Sequence, residues 1–186
     1  MGILLGFAPF IVFALLTGLS IHLALWTALA ASFVIGIRDF AQTRILRLLD
    51  MGSIALFGLL ALYTAFIEES MSVQAVRLVV DGGLMTIALA SILVGNPFTL
   101  DYAREQVPEK VWRAPLFLRT NYVLSGVWVL AFGAMTAADA AATFSKDFPL
   151  ALDIAASLAA LAVAVVFTTR YPAYVRARVG RSEALR

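Results

Sequence analysis

The sequence predicts an all-α protein, a polytopic transmembrane helical bundle of about six spans with both termini on the cytoplasmic side. Three observations predict it. Of the 186 residues, 62% are hydrophobic and 14% charged, with a mean hydropathy of +0.92; soluble domains hold about 45–50% and about 25%. So much apolar surface exceeds what a core of this size can hide, so lipid becomes the solvent. The apolar residues also gather in six continuous runs without the period-2 alternation of a lipid-facing barrel strand. Finally, the basic residues collect on one side of those runs.

The runs are Ile3 to Leu16, Ile21 to Ile37, Met51 to Ile67, Val73 to Val94, Tyr122 to Ala138 and Leu150 to Thr169. A spanning helix needs about 20 residues. The first run is short, and only Thr17-Gly18-Leu19-Ser20 separates it from the second. A tight helical hairpin is expected there, with a re-entrant structure as the alternative. No Lys or Arg precedes Ile3, and the apolar stretch continues into a second span, so the start does not read as a cleavable signal peptide. Chain 1–186 reads as a single membrane domain.

Between runs two and three lie Arg38, Arg44 and Arg47. Between runs four and five lie Arg104, Lys110, Arg113 and Arg119; Arg170, Arg176, Arg178, Arg181 and Arg186 follow run six. Twelve of the fourteen Lys and Arg thus share one side, and the positive-inside rule makes that side cytoplasmic. Arg77 and Lys146 fall on the other side with Glu68, Glu69, Asp81, Asp139, Asp147 and Asp153, which makes it net negative.

The longest polar stretch is the loop from 95 to 120. Asn96-Pro97-Phe98 ends run four, because proline cannot continue the helical ladder. Thr99 is placed to cap a short helix, Leu100 to Val107, and Pro115 breaks the segment from Glu109 to Leu118. With Trp112 beside Arg113 and Arg119, this stretch reads either as an interfacial segment facing anionic lipid or as an ordinary solvated loop. The segment Arg38 to Asp50 reads as a short amphipathic connector. The basic tail covers 170–186.

Small residues recur four apart, at Ala24, Ala28, Ser32 and Gly36, at Gly133, Ala137 and Ala141, and at Ala156, Ala160 and Ala164. Such faces let helices approach closely in lipid, within one bundle or across a homo-oligomer.

Ionisable residues inside a bilayer are costly and become functional candidates by default. The first candidate is the pair Arg77 and Asp81, four positions apart on one helix face. Asp153, one turn into run six, is the second. The remaining outer carboxylates, with Asp139 among them, read as solvated ends. His22 reads as interfacial and Asn121 as the cap of run five. Cysteine is absent and histidine single, which excludes thiolate chemistry and leaves little for histidine-based metal binding. No Ser/His/Asp set, phosphate loop or helix-spaced metal motif is present, so no catalytic, cofactor or metal residue is expected, nor any nucleic-acid partner.

Phe7-Ala8-Pro9-Phe10-Ile11-Val12-Phe13, the Asn96-Pro97-Phe98 turn, Val111-Trp112, Asn121, Trp128 and the closing Arg170-Tyr171-Pro172 together resemble the bacterial intracellular septation protein A family, small inner membrane-spanning proteins. The stretch Asp101 to Glu105 departs from it. The resemblance implies a non-enzymatic role in cell-envelope integrity and cell division, exercised through lipids and membrane-protein partners in the bacterial inner membrane. A small transporter or channel, alone or oligomeric, is the competing expectation.

Overall fold

A computed structural model describes residues 5–184 apart from 69 and 146, with side chains as far as Arg178. Glu69 and Lys146, counted above on the acidic side, lie outside the described residues. The described chain is helical throughout: α1 (Ala8–Leu16), α2 (Ile21–Thr43), α3 (Leu48–Phe66), α4 (Val73–Leu93), α5 (Phe98–Arg104), a 3-10 turn (Glu109–Val111), α6 (Pro115–Phe144) and α7 (Leu150–Ala184). Five of these, α2, α3, α4, α6 and α7, are long and apolar enough to cross a membrane.

The exception is α1. Its nine residues rise about 13.5 Å, less than half of a hydrocarbon core about 30 Å thick. The hairpin to α2 is present: Leu19 and Ser20 donate their N–H groups to Leu16 O, and Ser20 Oγ accepts from Leu23 N. Among the described residues the first expected run supplies the short helix α1, packed on α2 with one face exposed, and the other five runs supply full-length helices. What holds α1 is aromatic packing. Phe7, at the head of α1, stacks on Trp128 of α6 with ring centroids 4.7 Å apart, while Phe10 and Phe13 pack on Phe57 of α3. Trp128 in turn donates its indole N–H to Thr168 Oγ1 on α7 at 2.9 Å. Four helices thus meet around one indole.

The remaining packing runs α2 on α3, α3 on α4, α4 on α6 and α6 on α7. Ala24, Ala28, Ser32 and Gly36 all face inward on α2, so that small-residue stripe is used within the chain. Ala160 and Ala164 of α7 also pack toward the core, whereas Ala137 of α6 faces out. Buried hydroxyls return a hydrogen bond to their own helix, as Ser32 does to Ala28 O and Ser53 to Leu49 O; no water is on hand there to satisfy them.

Three helices run past their apolar stretches. Arg38 and the polar residues up to Thr43 continue α2, so the expected connector from 38 to 50 shrinks to four residues. Arg44 closes α2 in a left-handed conformation, φ +57°, where most side chains are strained. Pro115 does not break a helix but starts one, its fixed φ suiting the first turn. Residues 115–120 therefore belong to α6, and Asn121 is no cap: its side-chain N–H donates to Phe117 O one turn back. The tail after Thr169 likewise continues α7, through Pro172.

The start of the segment after α4 is buried, whereas Glu105, Glu109, Lys110 and Arg113 are exposed. Gly95 turns the chain at φ +81°, and α5 then tucks under the bundle. Phe98, Thr99, Leu100 and Tyr102 are all buried. Phe98 N donates to Ser91 Oγ at 3.0 Å, and Thr99 Oγ1 donates to Asn121 O, tying α5 to α4 and α6.

Candidate functional site

Charged side chains sit inside the bundle at both ends. At the end carrying the α3–α4 and α6–α7 connections, Arg77 projects from α4 toward its neighbours. Its Nη2 lies 3.3 Å from Asp139 Oδ1 on α6, and its Nη1 3.1 Å from Asp153 Oδ2 on α7. Both aspartates are fully buried, and the arginine side chain is 21% exposed. The expected pairing of Arg77 with Asp81 along α4 gives way to two ion pairs between helices. Asp81 faces Asp139 instead, their carboxyl groups within interaction range.

Two buried carboxyl groups thus share one guanidinium where α4, α6 and α7 come together, and a third, that of Asp81, lies beside Asp139. Apart from the ion pairs, neither oxygen of Asp139 or of Asp153 has a hydrogen-bond donor. Ser157, one turn beyond Asp153 on α7, is buried with its hydroxyl unpartnered too. A buried carboxylate without a compensating charge costs several kcal/mol, to order of magnitude. One guanidinium offsets one carboxylate; the others need protons or further cations. Among the described residues no group of three or more His, Cys, Asp or Glu has the spacing to hold a metal ion.

Asp139 had read as a solvated end because its apolar run stops at Ala138. The helix continues to Phe144, which carries Asp139 into the interior. Asp153 is buried as well, whereas Glu68 and Asp147 are exposed.

At the opposite end Arg47, between α2 and α3, is nearly fully buried. It pairs with Asp39 of α2 and with Glu105 just after α5, and its guanidinium lies 4.5 Å above the Tyr102 ring. Asp50, on the first turn of α3, is buried close by. Arg38 lies 3.9 Å from Asp39 and Arg104 lies 3.5 Å from Asp101. Burial acts against the charge of Arg47, but Tyr102, Asp39 and Glu105 outweigh it and raise its pKa. Burial pushes the Asp101 carboxyl up, with Asn96 and Arg104 opposing, and pushes the Tyr102 phenol up with help from Asp50. The sequence reading missed this cluster. Its signal was a carboxylate at each edge of the presumed connector, Asp39 and Asp50, where arginines alone would have suited a lipid surface.

The other residues singled out in the sequence lie around this second cluster. Pro97 precedes α5, and Asn96 contacts Asp101. Trp112 donates its indole N–H to the carbonyls of Arg104 and Val107, each at 3.2 Å, while the Arg104 guanidinium sits 5.7 Å from its ring. Arg113 is exposed; Arg119 is exposed on α6, beside α7. No family model, curated protein or solved structure matches the chain.

Proposed function

We propose that this multi-pass membrane protein is a small proton-handling transporter or channel, non-enzymatic, whose working group is Arg77 with Asp81, Asp139 and Asp153. One observation carries the reading: a single guanidinium shared by two buried carboxyl groups, with a third carboxyl group against one of them, held between three membrane-length helices. A cluster built only to clamp helices would balance its charges, because surplus buried charge weakens the clamp. Titratable groups between packed spanning helices are what proton relays in membranes use. The charge asymmetry supports placing this cluster toward the outer side of a bacterial cytoplasmic membrane, with both termini inside.

The test is reconstitution in liposomes with a trapped pH-sensitive dye under an imposed gradient. Wild-type protein should collapse the gradient, and Asp139→Asn and Asp153→Asn should lower the rate at least tenfold while inserting normally. Unchanged rates in Arg77→Gln, Asp81→Asn, Asp139→Asn and Asp153→Asn together would sink the proposal.

A second reading, an envelope or septation scaffold acting through membrane partners, draws on the resemblance and on one further observation. The connection from 95 to 114 is an ordered platform, pinned by Arg47 and the Trp112 indole, and so suited to docking. Photo-crosslinking from position 113 in host membranes tests it. A division or envelope protein captured there, together with silent liposomes, would favour this reading over transport.

A further inference from the structure

Among the described residues, one buried hydroxyl breaks the pattern of the others. Every other buried serine and threonine hydroxyl has a hydrogen-bond partner, most often a carbonyl three or four residues back on its own helix. Ser157 is 7% exposed and its hydroxyl has none. An unpaired buried hydroxyl is destabilising, so its presence asks what it serves. Its place on α7 points to Asp153, four residues earlier on the same face, because helical side chains lean toward the N-terminus. Thr143 stands in the same relation to Asp139 on α6. There the hydroxyl is already committed, donating to Asp139 O at 2.7 Å. Asp153 therefore has an uncommitted hydroxyl beside it, whereas Asp139 has the carboxyl group of Asp81.

We infer that Ser157 is a positioning residue of the proton site: its hydroxyl is the reserve donor to Asp153, which keeps Asp153 charged and leaves the exchangeable proton to Asp81 and Asp139. This division of labour rests on the proton-handling function proposed above. The charged groups facing Asp153 from the neighbouring helices are Arg77 and Asp81 of α4 and Asp139 of α6. Arg77 stands between Asp153 and Asp139, at 3.1 and 3.3 Å, and cannot fully compensate both. While a proton sits between Asp81 and Asp139, the guanidinium serves Asp153. When that proton passes to water, Asp139 becomes an anion and draws the guanidinium toward itself. Asp153 then needs a second donor. Ser157 supplies it by turning about χ1 from one staggered well to another, with no movement of the backbone. Hydrogen bonds to ionised oxygens are about twice as strong as neutral ones, so this bond favours the charged form of Asp153. The Ser157 proton stays on Oγ throughout.

Infrared difference spectroscopy of the full-length protein in lipid vesicles at neutral pH tests this, because a protonated carboxyl group has a C=O stretch that shifts in D2O and a carboxylate lacks it. Wild type should show a buried protonated carboxyl band that persists in Asp153→Asn and is lost or displaced in Asp139→Asn. Ser157→Ala should raise the protonated fraction of Asp153 by roughly tenfold, the weight of one hydrogen bond to a charged group. A second band then appears, and it should be missing from Ser157→Ala/Asp153→Asn. Thr143→Val removes a hydroxyl already committed to the backbone and should leave the spectrum as in wild type. No second band in Ser157→Ala, or one that survives Asp153→Asn, would overturn the inference, as would a wild-type band that vanishes in Asp153→Asn. The same vesicles report proton flux from a trapped dye. Silent vesicles with the expected bands would sink the transport function and still support the pairing of Ser157 with Asp153. Normal flux without the second band would sink the pairing alone.

Discussion

The two buried charge clusters differ in their arithmetic. At the acidic end one guanidinium serves two buried carboxyl groups with a third beside them, and all come from membrane-length helices. At the basic end Arg38, Arg47 and Arg104 stand against Asp39, Asp50, Asp101 and Glu105, close to balance, and the partners come from helix ends and the α5 connection. The balanced cluster locks a tertiary arrangement. On the function proposed above, the unbalanced one is where protons exchange.

The comparison breaks first at Arg47. Arg47→Ala leaves two carboxylates stranded and should cost about 3–5 kcal/mol, measured by denaturation in detergent; a loss below about 1 kcal/mol would mean that the lock is ornamental. Next comes the ring under that guanidinium. A Cβ on Gly6 would run into the Tyr102 hydroxyl and lie 2.8 Å from Cζ. Gly6→Ala should therefore cost about 1–3 kcal/mol by overpacking. The Tyr102 hydroxyl interacts with the Arg47 guanidinium, so Tyr102→Phe should cost about 1 kcal/mol alone and restore part of the loss in the double variant.

Asp139→Asn sharpens the comparison from the other side. Losing an ion pair is offset by losing surplus negative charge, so stability should move by about 1 kcal/mol or less while proton flux falls. A stability loss as large as that of Arg47→Ala would show the acidic end to be a lock as well. The smallest effect is at Asp101. Burial raises its pKa in the folded protein, so folding favours the protonated form. Its contribution is complete below the ordinary carboxylate value near about 4 and is lost as pH rises through the folded value. Melting temperatures across that window should fall less steeply for Asp101→Asn than for wild type.

Helix number and type were legible because long apolar runs have few other solutions in lipid. The ends were not. Apolar runs mark what lies in hydrocarbon, whereas helices stop where backbone geometry or tertiary packing stops them. Arg38 to Thr43, Pro115 to Thr120 and the stretch beyond Thr169 are helical although polar, because nothing there halts the backbone ladder. That distinction decided the candidate site. Arg77 and Asp153 stood out by the cost of burying them, but Asp139 escaped notice because its run ended one residue before it. The i, i+4 spacing suggested a partner for Arg77 on its own helix; packing of α4 on α6 and α7 supplied closer ones. Arg47 fell inside the expected connector, and sequence spacing carries no sign that Glu105, 58 positions away, would meet it.

The stack of Phe7 on Trp128 has a consequence for how the molecule is made. A chain emerges from its N-terminus, at roughly 5–20 residues per second. The segment around Phe7 is therefore born well before its seat, which needs Trp128 and, through the indole N–H, Thr168. During that interval of many seconds it has to wait, apolar and unseated, in the membrane surface or the insertion machinery. Its seating therefore follows the synthesis of α6 and α7, so α1 reaches its place only after helices translated later than itself.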